Sequence, residues 1–286
     1  EACEGLGRFV GDREAVTALE KALTKDKFWG VRRAAAAGLG EIGTEAARNA
    51  LLGAIRGQDS RVRRGVYRAL GKFRKDDRAF QALSKAYLED GGYYPMAAAA
   101  LALAETRHDG AFDAIVKGMD RPSQGEMIAR GAAAGLADLR LEKGIEVLVA
   151  RTSYGQPELR RFGAAVALGK LGYYHERRRD EVLDGLVALT KDPNYRARLG
   201  AVDGMVGLGY KKAIDELEKI QDTAVLGTLR RNARRAVGDI EAKQAETAKR
   251  MEQQDELDKL RDENKELKTR VTSLEAKVDA ITKRRR

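Results

Sequence analysis

One apolar signature recurs along this chain at a nearly constant step, and a fixed step of that size is the mark of stacked supersecondary units. The clearest copies run from Val31-Arg32-Arg33-Ala34-Ala35 to Leu39-Gly40-Glu41-Ile42 and from Val62-Arg63-Arg64-Gly65-Val66 to Leu70-Gly71-Lys72-Phe73. Weaker copies centre on Leu6, Leu101, Leu136, Leu168, Met205 and Val237; from Leu6 the steps are 33, 31, 31, 35, 32, 37 and 32 residues. One helical hairpin fills such a step. The expectation is an all-α, right-handed superhelix of about seven helix pairs over residues 1–240, its first pair truncated.

Residues 27–58 show how one repeat is written. Val31, Ala34, Ala35, Gly38, Leu39 and Ile42 form one apolar stripe at helical spacing. Gly43 suits a helix C-terminus, and Ala47, Ala50, Leu51, Ala54 and Ile55 draw the stripe of a second helix. Gln58-Asp59-Ser60 ends that helix and caps the next. Pro95, Pro122, Pro157 and Pro193 all fall at or near expected helix starts, where a missing N–H costs little. Glycine lowers helix stability by about 1 kcal/mol. The 30 glycines therefore imply close helix approach, which small residues permit.

After Gly238 the pattern changes. Residues 239–286 contain neither Gly nor Pro, and 241–286 read as one long helix. Leu257, Leu260, Asn264, Leu267, Val271, Leu274, Val278 and Ile281 step alternately by 3 and 4, an a/d heptad seam over 257–281. Leu at d, Val at a and Asn264 at an a position fit a parallel two-stranded coiled coil. The g-to-e′ pairs Glu256–Arg261, Glu263–Lys268 and Arg270–Glu275 would all be attractive between like chains. The expected partner is a second copy of the chain.

The net charge of +10 is uneven, with nine basic side chains in residues 56–78 and four at the C-terminus. No run of apolar residues is long enough to span a membrane. The single cysteine, Cys3, forbids an internal disulfide and reads as a small buried residue. The acidic start lacks a signal peptide's apolar stretch, and with the lone cysteine this points to the cytoplasm. Because Gly5-Leu6-Gly7-Arg8-Phe9 reads as the end of a signature helix, the chain is expected to be a piece of a longer protein.

No catalytic constellation emerges. His175-Glu176-Arg177-Arg178-Arg179 begins like H-E-x-x-H, but Arg179 replaces the second histidine and cannot bind zinc. His108 and His175 both read as loop residues, and no phosphate loop or G-x-S-x-G occurs. No cofactor is expected on these residues. Arg32, Arg63, Arg161, Arg198 and Arg230 share one repeat position and follow Asp26, Asp59, Glu158, Asp192 and Asp222. An Arg–acid ladder between neighbouring turns is expected, built of charge-assisted hydrogen bonds. Arg61, Arg64 and Arg68 share a helix face, as do Arg230 with Arg234 and Arg231 with Arg235. Only Tyr67 and Phe73 lie near the first cluster, so the sequence favours a protein partner over nucleic acid. Phe28, Trp29, Tyr93, Tyr94, Tyr173 and Tyr174 fall at repeat junctions, which they are expected to cover.

The V-R-R-A-A-x-x-x-L-G-x-I pattern at 31–42, 62–73 and 229–240 resembles HEAT repeats of the short bacterial type over residues 1–240. Met127-Ile128-Ala129-Arg130, Gly135-Leu136-Ala137-Asp138-Leu139, Tyr154-Gly155-Gln156-Pro157 and Leu168-Gly169-Lys170-Leu171-Gly172 are similar to the C-terminal HEAT region of prokaryotic M1-family aminopeptidases. That resemblance implies a non-catalytic module of a zinc metallopeptidase, with the metal and the G-x-M-E-N motif in an upstream domain. Without such a domain, the pattern implies a free-standing scaffold that binds a protein or peptide on its surface.

Overall fold

The computed structural model describes residues 2–9 and 11–284, with side chains described up to Leu274 apart from Glu4. All regular structure in those residues is helical. Seven helix pairs follow in order: α1 (Ala2–Leu6) and α2 (Arg13–Lys25); α3 (Trp29–Ile42) and α4 (Glu45–Gly53); α5 (Ser60–Gly71) and α6 (Asp77–Glu89); α7 (Tyr93–Glu105) and α8 (Ala111–Gly118); α9 (Met127–Leu139) and α10 (Gly144–Thr152); α11 (Glu158–Tyr173) and α12 (Arg179–Leu189); α13 (Tyr195–Leu208) and α14 (Ala213–Thr223). Single 3-10 turns, Gln124–Glu126 and Glu176–Arg178, precede α9 and α12. The last helix is α15 (Gly227–Arg284). The chain divides into two compact units, residues 1–237 and 238–286.

Local chemistry sets the helix ends. Asp12, Thr44, Asp59, Asp76 and Asn194 each accept a backbone N–H from the first turn of the helix they precede. At the other end, Gly43 (φ 66°) and Gly209 (φ 59°) close α3 and α13 in the left-handed region, where a side chain is disfavoured. Gly238 makes no such break: α15 passes through it, so the last signature helix and residues 241–284 are one helix that begins at Gly227. A Cβ at Gly238 would meet nothing within 4 Å, so neither a turn nor a close approach requires a glycine there.

In the first unit the odd-numbered helices stack in sequence, α1 on α3, then α5, α7, α9, α11 and α13, and each even-numbered helix from α2 to α12 touches both the stacked helix before it and the one after it. Each stacked helix after α1 buries an anchor residue: Leu39, Leu70, Leu103, Leu136, Leu168 and Met205. The anchor of α7 is therefore Leu103 rather than Leu101, which is half-buried. The run Met96-Ala97-Ala98-Ala99-Ala100-Leu101-Ala102-Leu103-Ala104 is apolar throughout, so its periodicity cannot choose between two leucines. Cys3 also departs from expectation: it is half-exposed, in the five-residue α1.

Two small positions per helix set the distance between turns. The residue after an anchor faces the residue before the next one. A Cβ on Gly40 would lie 2.9 Å from Ala69 Cβ, and one on Gly71 would lie 3.0 Å from Ala102 Cα. A Cβ on Gly169 would overlap the Gly204 carbonyl, whose carbon it would approach to 2.5 Å. Five residues before the anchor, Gly131 and Gly200 press the same way, their Cβ positions 2.7 Å from Ala97 and Phe162. Close-packed interiors cannot absorb an extra methyl against backbone. Gly169→Ala should therefore cost about 3 kcal/mol or more, the upper range for overpacking. Gly185→Ala, in α12 with Leu168 Cδ2 4.0 Å from the new Cβ, should gain up to about 1 kcal/mol from helix propensity. Urea denaturation of the two variants beside the parent checks both signs.

Candidate interaction surfaces

Seven positions before the anchor stand Arg32, Arg63, Arg161 and Arg198, while α7 and α9 carry Met96 and Ala129 there. Arg32, Arg63 and Arg161 reach forward by one repeat rather than back to the acid of their own. Arg63 Nε and Nη2 donate to Asp90 Oδ2 and Oδ1 at 2.7 and 2.8 Å. Its Nη1 also donates to the carbonyls of Gly57 and Gln58, both at 2.9 Å. One guanidinium thus ties the junction before its own helix to the acid that opens the next repeat. Arg161 Nη1 donates to one oxygen of buried Asp192, and Arg32 approaches Asp59 at 3.9 Å. Arg230 Nε donates to the Ala224 carbonyl at 2.7 Å.

The acids divide differently from the expected set. Asp59 and Asp192 lie in the ladder, whereas Glu158 faces Arg196 at 3.7 Å. Asp26 accepts the Phe28 N–H. Asp90, absent from the expected set, makes the most complete pair: Tyr67 Oη also donates to it, at 2.6 Å. The signal for Asp90 was present thirteen residues before Leu103, the same offset as Asp26 from Leu39 and Asp192 from Met205. It was hidden because α7 has no arginine at the ladder position.

Two of the aromatics nearest the basic cluster are core residues: Tyr67 is 2% exposed and Phe73 8%. The rings that meet arginines at the surface come instead from adjacent helices. Arg33 and Arg61 lie over Trp29, at 5.3 and 4.3 Å from its centroid, and Arg64 lies 5.4 Å from that of Tyr94. Phe28, exposed, packs 5.5 Å from Trp29. Cation–π contacts of this kind hold flexible arginines against flat rings. The open face of α3, α5 and α7 is thus a patch of Trp, Tyr and Arg, the residue types enriched at binding hot spots. Tyr173 and Tyr174 meet edge to face, and Arg140 covers Tyr174 at 4.1 Å.

Hollows also recur between the C-terminal ends of successive even-numbered helices. One of about 610 Å³ lies between α4 and α6 beside Arg63 and Asp90. Others of about 410 and 480 Å³ lie between α10 and α12 and between α12 and α14. The two histidines serve loop structure. His108 Nδ1 accepts the Gly110 N–H, so Nε2 carries the proton toward Asp77 at 3.0 Å, and the ring stacks on Phe80. His175 Nε2 lies 3.0 Å from the Arg140 carbonyl oxygen. Among the described residues no cluster of His, Cys, Asp or Glu has the makings of a metal site.

In the second unit, Leu257, Leu260, Leu267, Val271 and Leu274 are each 44–60% exposed on a helix otherwise polar, with Asn264 exposed among them. Val278 and Ile281 also fall in α15, but their side chains lie outside those described.

Burial alone would push the Asp90 carboxyl up; hydrogen bonds from Arg63, Tyr67 and the Gly92 N–H outweigh it and hold the carboxyl below the usual carboxylate range. Its stabilising effect is therefore complete above the unfolded value of ~3.9 and is lost as pH falls through the lower folded value. Asp90→Asn should cost about 3 kcal/mol near neutral pH, the lower range for breaking a buried pair. In urea melts the gap to the parent should narrow as pH falls below the usual carboxylate range and the parent's own carboxylate is protonated in turn. An unchanged gap would assign the effect to shape rather than charge.

Residues 1–58 and 18–96 match the family described as HEAT repeats. No curated protein matches the chain significantly. Among solved structures, the CpcE–CpcF complex of phycocyanin lyase from Nostoc sp. PCC7120 is 23% identical over 84% of this chain and 87% of that one, with a TM-score of 0.42. Human deoxyhypusine hydroxylase is 15% identical over 84% of this chain and 88% of its own, with a TM-score of 0.38. Kap121p is 12% identical over 79% of this chain and 29% of its own, with a TM-score of 0.51. At that identity a likeness speaks to fold alone. The chain folds as an all-α, HEAT-like solenoid.

Proposed function

We propose that this chain is a non-catalytic protein-interaction scaffold that dimerises through a parallel coiled coil of its C-terminal helix. The observation that carries the reading is the exposed seam of Leu257, Leu260, Leu267, Val271 and Leu274. A row of aliphatic side chains at heptad spacing is costly to leave in water, and a like helix covers it with complementary g and e′ charges. Asn264 in that seam would pair with its own copy, which favours two strands and a single register. The first unit then supplies the recognition surface: rigid, helical and bearing the Trp29, Arg33, Arg61, Arg64 and Tyr94 patch. No helix among the described residues is long and apolar enough to cross a membrane. The resemblance of residues 127–172 to the C-terminal region of M1-family aminopeptidases is compatible with this role, since that region is itself non-catalytic.

Sedimentation equilibrium tests the seam. The parent should run as a dimer, at twice the 31.4 kDa chain mass. Leu260→Glu with Leu267→Glu should weaken association by at least ~100-fold, about 2.7 kcal/mol, while helix content is kept. Asn264→Val should tighten association and admit trimers. A parent that stays monomeric at high micromolar concentration would overturn the dimer. A glutamate variant that stays dimeric would move the interface off the seam.

A further inference from the structure

Thirteen residues before their anchors, Asp26, Asp90 and Asp192 mark the start of a repeat; the residue at that offset from Val237 is Ala224. The backbone confirms the equivalence. Asp26, Asp90 and Ala224 are the C-caps of α2, α6 and α14, all extended, with φ/ψ of −64/142°, −61/140° and −66/129°. Each donates its N–H to the carbonyl four residues back. Asp90 and Asp192 receive the guanidinium of the previous signature helix, Arg63 and Arg161. By the same register Arg198 of α13 should reach residue 224, where a methyl group stands instead of a carboxylate.

What sets Arg198 apart is its partner. Its Nε is buried without a hydrogen bond, as are those of Arg32 and Arg161. Those two guanidinium groups face Asp59 and Asp192, whereas no acidic side chain pairs with Arg198 among the described residues. Arg198 and Ala224 line the same hollow of about 480 Å³, with Lys191 and Lys219 beside them. The one acid in that lining, Glu216, is engaged by Lys219 at 2.6 Å. Thr190 and Thr223 also line it, and the rest of the wall is aliphatic: Val187, Ile220, Val225, Leu226 and Leu229, of which Val225 is 91% exposed. In the matching hollow at Arg63 the chain fills the anion position with its own Asp90.

We infer that the hollow at Arg198 takes a carboxylate from outside the chain, an Asp or Glu side chain of a protein partner with aliphatic neighbours, in the place that Asp90 and Asp192 fill in their own repeats. The chemistry is that of the ladder itself, a guanidinium donating to a carboxylate in a partly dry setting. The aliphatic rim distinguishes a peptide side chain from a bare inorganic anion, because a free ion gains nothing from Val225 and Leu226. This inference rests on the reading of the first unit as an interaction surface, but it is independent of the coiled coil.

The test uses the full chain with ¹⁵N-labelled arginine, following the Arg198 Nε–Hε resonance, identified by its loss in Arg198→Gln. The probes are terminally blocked Leu-Asp-Leu and Leu-Asn-Leu peptides and inorganic phosphate. The Asp peptide should shift the resonance, with the Asn peptide and phosphate at least tenfold weaker. Ala224→Asp supplies the missing acid from within: it should raise the melting temperature and abolish the response to the peptide. Equal binding of the Asp and Asn peptides, equal binding of phosphate, or an Ala224→Asp chain that still binds would each overturn the proposal. The sedimentation behaviour of the parent is read separately, so a failure here is not confused with a failure of the dimer.

Discussion

The contact of backbone with backbone between stacked signature helices is the constraint on which the rest of the first unit depends. Where Gly169 meets Gly204 and Gly71 meets Ala102, no side chain separates the two helices. Dispersion rises steeply as atoms close to contact, and each helix gains along its length what glycine loses in helix propensity. That short rise is also what lets an arginine in one repeat span to the acid of the next. Arg63 bonds Asp90 and the carbonyls of Gly57 and Gln58 at once because those groups lie within one side chain's reach. The ladder is thus a consequence of the spacing and then a lock upon it. A repeat pushed outward would leave a guanidinium and a carboxylate half-dry and unpaired, which is costly.

How much of this was legible follows from what each signal measures. Helix pairs, caps and the packing role of glycine could be read because period, Asp or Thr before a stripe, and Leu-Gly doublets are local patterns. The register of α7 was not: in a segment of alanines bounded by Leu101 and Leu103, every face is apolar and the choice is made by contacts with α5 and α9. The acid of Arg63 escaped for a related reason. Its bond crosses a repeat boundary, and the repeat that holds Asp90 has Met96 where the others have arginine. Proximity in sequence also misled the search for surface aromatics. Tyr67 and Phe73, close to the basic run, are core, while Trp29 and Tyr94 arrive from neighbouring helices. The heptad spacing is likewise a local pattern, and its members with described side chains, from Leu257 to Leu274, lie exposed along α15.

The places where the ladder is interrupted show how the chain manages charge. At α7 and α9 the arginine is missing, and the junction before α9 is lengthened by Pro122 to Glu126. There the acids find other partners: Asp120 accepts from Arg151 at 2.7 Å, and Arg160 bonds both Glu126 at 2.8 Å and Asp120 at 3.3 Å. A carboxylate left without its expected arginine is thereby served by two others from α10 and α11. At α14 the reverse occurs, an arginine without its acid, and no substitute acid reaches it among the described residues.

That asymmetry bears on where the net charge of +10 can act. Ladder arginines that face carboxylates have their charge cancelled at short range, so a distant partner feels little of it. The excess must then reside outside the ladder. Within the first unit it is found on the open face of α5, where Arg64 and Arg68 lie beside Arg61 and its Asp59, and in the hollow of Arg198 and Lys191. Exposed charge near a low-dielectric apolar wall exerts a stronger field than the same charge in open water. Both sites combine cations with apolar or aromatic neighbours. An acidic, partly apolar protein segment satisfies both terms together. A polyanion satisfies only the charge, and screening by salt weakens that term first.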